Sequence, residues 1–266
     1  MPEVFGLDAY APREVAARLR DVGVAKTQLP LLAQVMLGVL AGAFIGLGAV
    51  MFLLVLADAT LGFAASRLLG GLAFSLGLIL VVVAGAELFT GNNLLAMAWA
   101  ARLISTRGML RNWLVVCLAN AVGAAGLALL VWGSGHAQMN HGGVARAAIA
   151  VAVAKAQLPW EIAFTRGILC NVLVCLAVWM AMAGRSVIDK AVAIVFPITA
   201  FVAAGFEHSV ANMYFFPLAM LLGAPISVAD ALGNLLPVIA GNLVGGSLLV
   251  AGFYWVIYLR GAAVER

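Results

Sequence analysis

Charge is scarce in this sequence. Of its 266 residues, 15 are Lys or Arg and 11 are Asp or Glu, so 10% are charged. A soluble domain carries about 25%. The deficit excludes a chain that covers its surface with charge and folds in water. Hydrophobic residues make up 65%, and mean hydropathy is +1.12. The composition is that of an integral membrane protein with one compact membrane domain. The net charge of +4 comes from basic residues dispersed among loops, which excludes a nucleic-acid partner.

Cysteine is scarce as well. Cys117, Cys170 and Cys175 each fall in an apolar run and read as small buried hydrophobes. No disulfide framework and no metal motif is expected from them. No ATP-binding loop, haem motif or nucleophilic triad is visible, so no cofactor is expected and the chain is not read as an enzyme. A charged-then-apolar signal peptide is also missing: residues 1–26 are polar and mildly amphipathic.

What the sequence has is long apolar runs. A membrane span needs about 20 residues. Six segments are read as spans: 31–57, 68–89, 113–132, 162–183, 191–206, which is short before it meets Glu207, and 235–259. Glycines at 38, 42, 46 and 48, and at 123 and 126, give packing stripes of the kind that let membrane helices approach closely. Ahead of the spans, Val15, Leu19 and Val22 recur at helical spacing among Arg13, Arg18, Arg20 and Lys26. Residues 10–28 are either a short helix lying on the membrane surface or a solvated lead-in. Eleven basic residues fall on one side of the six spans and four on the other. Basic loops stay in the cytoplasm, which predicts cytoplasmic termini.

Two stretches break the apolar runs. Residues 205–212 read Gly-Phe-Glu-His-Ser-Val-Ala-Asn, and 85–92 read Gly-Ala-Glu-Leu-Phe-Thr-Gly-Asn. Both follow Gly-x-Glu-x-x-x-x-Asn, 120 positions apart. Asn112, Asn120 and Gly123 recur as Asn234, Asn242 and Gly245 at an offset of 122. The chain therefore reads as two three-span repeats. An odd number of spans per half makes the repeats inverted, with spans two and five broken at the Gly-x-Glu motifs. Each resumed half-helix, 93–103 and 209–222, aims free N–H groups at the break, a place that favours an anion. Ser209, Thr90 and Asn92 are the candidate caps.

Ionisable groups at membrane depth are functional-site candidates. His208 is either a satisfied core histidine or a pore residue; its place at a break, beside Glu207 and inside a repeat, favours the pore. Glu87 and Glu207 are read as structural, accepting backbone N–H bonds that hold each loop. Lys155 is either a loop charge or an anion lure at a vestibule. Arg166 reads as a loop charge, and His136 and His141 as solvated residues of a Gly-rich loop. Phe74, Leu78, Leu88, Phe89, Val174 and Phe201 are either core or a hydrophobic constriction.

Residues 85–92, 171–179 and 205–212 resemble signatures of the formate/nitrite transporter family, and the resemblance runs through all six spans. The linker 184–190 and the end 254–260 resemble its formate-channel branch; Gly91-Asn92-Asn93 after Thr90 is closer to the nitrite branch. The resemblance implies an all-α, aquaporin-like protomer, a homopentamer and one pore per subunit. It assigns the central His to His208, the pore-facing Thr to Thr90, the pore Asn to Asn171 and the vestibule Lys to Lys155. It places Phe74 and Phe201 in an outer constriction, and Leu78, Leu88, Phe89 and Val174 in an inner one. The expected division is a cytoplasmic amphipathic segment over 1–30, a six-helix channel domain over 31–260 and a cytoplasmic tail over 261–266. The expected activity is passage of formate, then nitrite, through a bacterial inner membrane, with His208 as proton or hydrogen-bond donor. The alternatives are a nitrite-selective or hydrosulfide channel, or an aquaporin-like pore for neutral solutes.

Overall fold

The computed structural model describes residues 9–261; the tail over 262–266 lies outside the described residues. The described chain is helical apart from one isolated bridge, Ala9 to Gly184. Six helices are long and apolar enough to cross a membrane: Leu31–Leu56, Phe63–Gly85, Thr106–Gly133, Trp160–Ala183, Val187–Ala204 and Val228–Tyr258. They are here α2, α3, α5, α7, α8 and α10. Four shorter elements complete the set. α1 is Pro12–Thr27 and α6 is Met139–Ala156. α4 is Ala96–Ala100, entered through a 3-10 turn at Gly91–Leu95, and α9 is Ser209–Leu221.

The spans are apolar on every side, as lipid requires, and exposed residues such as Leu130, Ile188 and Phe196 face outward. Lipid tails are as apolar as leucine, so packing has to come from close van der Waals fit. The fit is tightest where α2 meets α5 and where α7 meets α10. A Cβ on Gly123 would collide with the Val39 carbonyl, and one on Gly245 with the Ile168 carbonyl. The same contact is made once in each half.

α3 and α8 end in the same way. Gly85 and Gly205 adopt left-handed backbone, with φ of 81° and 75°. Ala86 N–H then closes on the Val81 carbonyl at 2.9 Å, and Phe206 N–H on the Phe201 carbonyl at 3.0 Å. This is a six-to-one helix closure, which needs a residue without a Cβ at the turn. The chain leaves the helix for five residues, 86–90, before the 3-10 turn that leads into α4, and for four, 205–208, before α9.

The helix α6 departs from the sequence reading, which treated this region as loop. Asn140, His141 and Gly142 have positive φ, so the regular helix starts only beyond them. The elements also start earlier than read at α3 and α8, and α4 is shorter. Within residues 10–28, Pro12–Thr27 form a helix. Val15, Ala16 and Leu19 are buried against Met97, Trp179 and Val250 rather than facing lipid.

Candidate functional site

The site grows from the two breaks, because a broken membrane helix must satisfy its freed backbone groups inside the protein. Asn120 does this for the first break. Its Nδ2 donates to the Gly38 and Glu87 carbonyls at 2.7 and 2.8 Å, and its Oδ1 accepts the Phe89 N–H at 2.8 Å. Asn242 repeats the arrangement. It donates to the Gly167 and Glu207 carbonyls at 2.8 and 3.0 Å and accepts the Ser209 N–H at 3.0 Å. An amide can donate and accept at once, which a carboxylate cannot. The sequence reading gave the loop backbone to the Glu87 and Glu207 carboxylates; their oxygens accept from side chains instead.

Glu87 and Glu207 bind side chains instead. Lys26 Nζ lies 2.6 Å from Glu87 Oε1, and Asn92 Nδ2 donates to Glu87 Oε2 at 2.7 Å and to Asn112 Oδ1 at 2.9 Å. Lys155 Nζ lies 2.8 Å from Glu207 Oε1, and Asn212 Nδ2 donates to Glu207 Oε2 at 2.7 Å and to Asn234 Oδ1 at 2.8 Å. The two clusters differ at one donor. Lys26 also donates to Asn92 Oδ1 at 2.8 Å, whereas Asn212 Oδ1 has no partner. Lys155 thus keeps more of its three donors free.

A vestibule opens at each break. The one beside α6 has a volume of about 190 Å³ and is lined by Phe74, Lys155, Phe201, Glu207 and His208 among others. The one beside α1 has about 380 Å³ and is lined by Lys26, Leu78, Glu87 and Leu88 among others. Aromatic rings pack in the wall of the α6-side vestibule. Phe74 and Phe201 meet edge to face at 5.8 Å, and Phe201 stacks on the His208 ring at 5.8 Å. Thr90 is buried and its Oγ1 lies 3.0 Å from His208 Nε2.

The other ring nitrogen of His208 is engaged. Nδ1 accepts the Ala211 N–H at 3.1 Å, so His208 caps α9. The predicted caps Ser209, Thr90 and Asn92 do not cap; Ser209 Oγ has no partner. An Nδ1 that accepts a backbone N–H carries no proton, so the ring is neutral and its proton sits on Nε2. That proton points to Thr90 Oγ1. A second proton on Nδ1 would face the Ala211 N–H and break the cap.

Thr90, Asn171, Phe89 and Val174 line neither vestibule. Phe89 and Val174 are buried in the main core. Asn171 Nδ2 lies 2.7 Å from Asn93 Oδ1, 2.7 Å from the Asn242 carbonyl and 3.2 Å from the Thr90 carbonyl. It holds the backbone that presents Thr90. Sequence reasoning missed Lys26 as a vestibule residue. Its match to Lys155 has an offset of 129, because the stretch from Gly38 to Gly85 is nine positions longer than that from Gly167 to Gly205.

Residues 13–256 match the family described as formate/nitrite transporter. The formate channel FocA of Escherichia coli (strain K12) is 38% identical over 273 residues, covering 95% of this chain and 96% of that protein. A solved pentameric formate channel with formate bound aligns with a TM-score of 0.79 at 35% identity, over 86% of this chain and 98% of that one. The aquaglyceroporin from Plasmodium falciparum aligns with a TM-score of 0.53 over 89% of this chain and all of that one; at 14% identity it shows the aquaporin-like fold alone. With most of its length matched by the family pattern and by a relative at this identity, the chain belongs to the formate/nitrite transporter family.

Proposed function

We propose that this chain conducts formate, and second to it nitrite, through a pore in each subunit of a homopentamer. The membrane is the bacterial inner membrane, with both termini cytoplasmic and the two halves inserted in opposite senses. On this reading residues 31–260 are the channel domain, and α1 supplies the inner vestibule's lysine. The observation that carries the proposal is the Thr90–His208 contact at 3.0 Å. We take it to lie in an apolar neck between two lysine-bearing vestibules. The formate channel with formate bound supports the substrate, and its pentamer supports the assembly.

The physical problem is to take an anion through an apolar neck. A bare charge at the bilayer centre costs about 2.5–3.5 kcal/mol on insertion scales and about 10–17 in simulation. A carboxylic acid of pKa roughly 3.5 costs about 5 kcal/mol to protonate at pH 7. The costs are comparable, so one strong hydrogen bond in the neck decides the outcome. Lys155 or Lys26 draws the anion into a vestibule. Phe74 and Phe201 on one side, and Leu78 and Leu88 on the other, exclude water. There the Nε2–H of His208 turns from Thr90 to the anion, and the Thr90 hydroxyl serves as a second donor. Full transfer of the Nε2 proton would leave an imidazolate, because the cap keeps Nδ1 bare. His208 therefore acts as hydrogen-bond donor, and a coupled proton enters with the substrate from the vestibule.

Reconstituted protein tests the reading. Formate uptake into proteoliposomes should exceed that of protein-free vesicles, rise with an inward proton gradient and exceed nitrite uptake. Glycerol passage without formate passage would replace it with a neutral-solute pore.

A further inference from the structure

The two vestibules hold different charge. The one beside α1 is lined by one cation, Lys26, and one carboxylate, Glu87. The one beside α6 is lined by three cations, Arg67, Lys155 and Arg166, and one carboxylate, Glu207. One vestibule is balanced and the other carries an excess of two positive charges. Lys155 is matched by Glu207. Arg67 is matched only by neutral groups: its Nε donates to the Ala203 carbonyl at 3.0 Å and its Nη2 to the Val202 carbonyl at 2.7 Å. It closes the end of α8 across the break and keeps its charge. The guanidinium of Arg166 makes no ion pair among the described residues; only its backbone is engaged, with its carbonyl accepting the Glu207 N–H at 3.2 Å. Arg67 and Arg166 are both half-buried, and their like charges repel across the cavity.

Two unmatched guanidiniums in a partly dry cleft gather anions. Their planar forks fit oxyanions through paired hydrogen bonds, which an ammonium does not. We propose that Arg67 and Arg166 form a second anion site in the α6-side vestibule, outside the neck, that takes small oxyanions and holds divalent ones more tightly than monovalent ones. A divalent oxyanion seated there does not follow formate, because against two charges the neck offers only Phe74, Phe201 and two neutral donors, the His208 Nε2–H and the Thr90 hydroxyl. It blocks from one face only. The blocking consequence rests on the proposed anion path; the binding site itself does not.

Sulfate is the probe. Formate flux is measured in proteoliposomes of one orientation, selected by access to a carboxy-terminal tag, with sulfate added to one face and chloride at equal ionic strength as control. Matched ionic strength removes general screening. Half-block should need at least tenfold less sulfate on the α6 face than on the α1 face. Arg166→Gln should raise the half-blocking concentration about tenfold, the loss of one charge-assisted contact, and Arg166→Lys should restore part of it. Equal block from both faces of the unmodified protein would overturn the site, and so would an unchanged half-block in Arg166→Gln that still carries formate. If the unmodified protein carries no formate, the transport reading fails by itself. Calorimetric titration of sulfate into detergent-solubilised protein then decides the site. Binding lost in Arg166→Gln upholds it; absent binding, or equal binding in both, overturns it.

Discussion

The two helix breaks are framed alike and furnished differently. Gly85 and Gly205 turn the chain, Asn120 and Asn242 satisfy the freed backbone, and Glu87 and Glu207 each hold a lysine and an asparagine. Between the shared Gly, Glu and Asn the halves part. Residue 88 is Leu where 208 is His, residue 90 is Thr where 210 is Val, and 86/206, 89/209 and 91/211 differ as well. The shared residues answer a need that exists at any break in lipid, whatever the protein does. Thr90 and His208, both unshared, meet in the neck, and His208 also caps α9. Fold is held by what the halves have in common, and the transport chemistry is assigned to what they do not.

The largest expected effect breaks the frame. Asn120→Ala and Asn242→Ala each leave a buried N–H and two carbonyls short of a partner. At about 1–3 kcal/mol per unmatched group, either variant should lose about 3 kcal/mol or more and fail to survive mild heating as a monodisperse species on size exclusion. The two losses should be alike; a half that tolerates the change would break the comparison. Next come the carboxylates. Glu207→Ala strands Lys155, and Glu87→Ala strands Lys26, each costing about 3–5 kcal/mol. Lys155 is the less exposed of the two lysines, 16% against 25%, so the Glu207 variant should melt lower. Replacing the pair together, Lys155→Met with Glu207→Gln, should recover most of the stability.

The six spans were legible because long, largely apolar runs have few other uses. The breaks stood out because Gly-x-Glu interrupts such a run twice at one spacing. The helix α6 was hidden: Arg146, Lys155 and the pair Gly142 and Gly143 dilute its pattern, and its left-handed start at 140–142 reads as loop. Lys26 was hidden by the nine-position difference between the halves. The cap on α9 was assigned to Ser209 because hydroxyls and carboxyls are the common caps; which residue leaves the helix in extended backbone is a tertiary outcome, and here it is His208 with φ of −109°. Asn171 was assigned to the pore through resemblance. Its three acceptors place it behind Thr90, a distinction that needs coordinates.

The central claim is that His208 serves transport while the frame serves folding. His208→Leu tests it most directly, because it gives the second break the residue that the first already carries at Leu88. The variant loses the cap on α9, about 0.5–2 kcal/mol, and keeps every contact of Asn242 and Glu207. Formate flux in proteoliposomes, measured beside thermal stability in detergent, should fall at least tenfold in a variant that still elutes as the unmodified assembly. Flux within twofold of the unmodified protein, in a variant so assembled, would contradict the account.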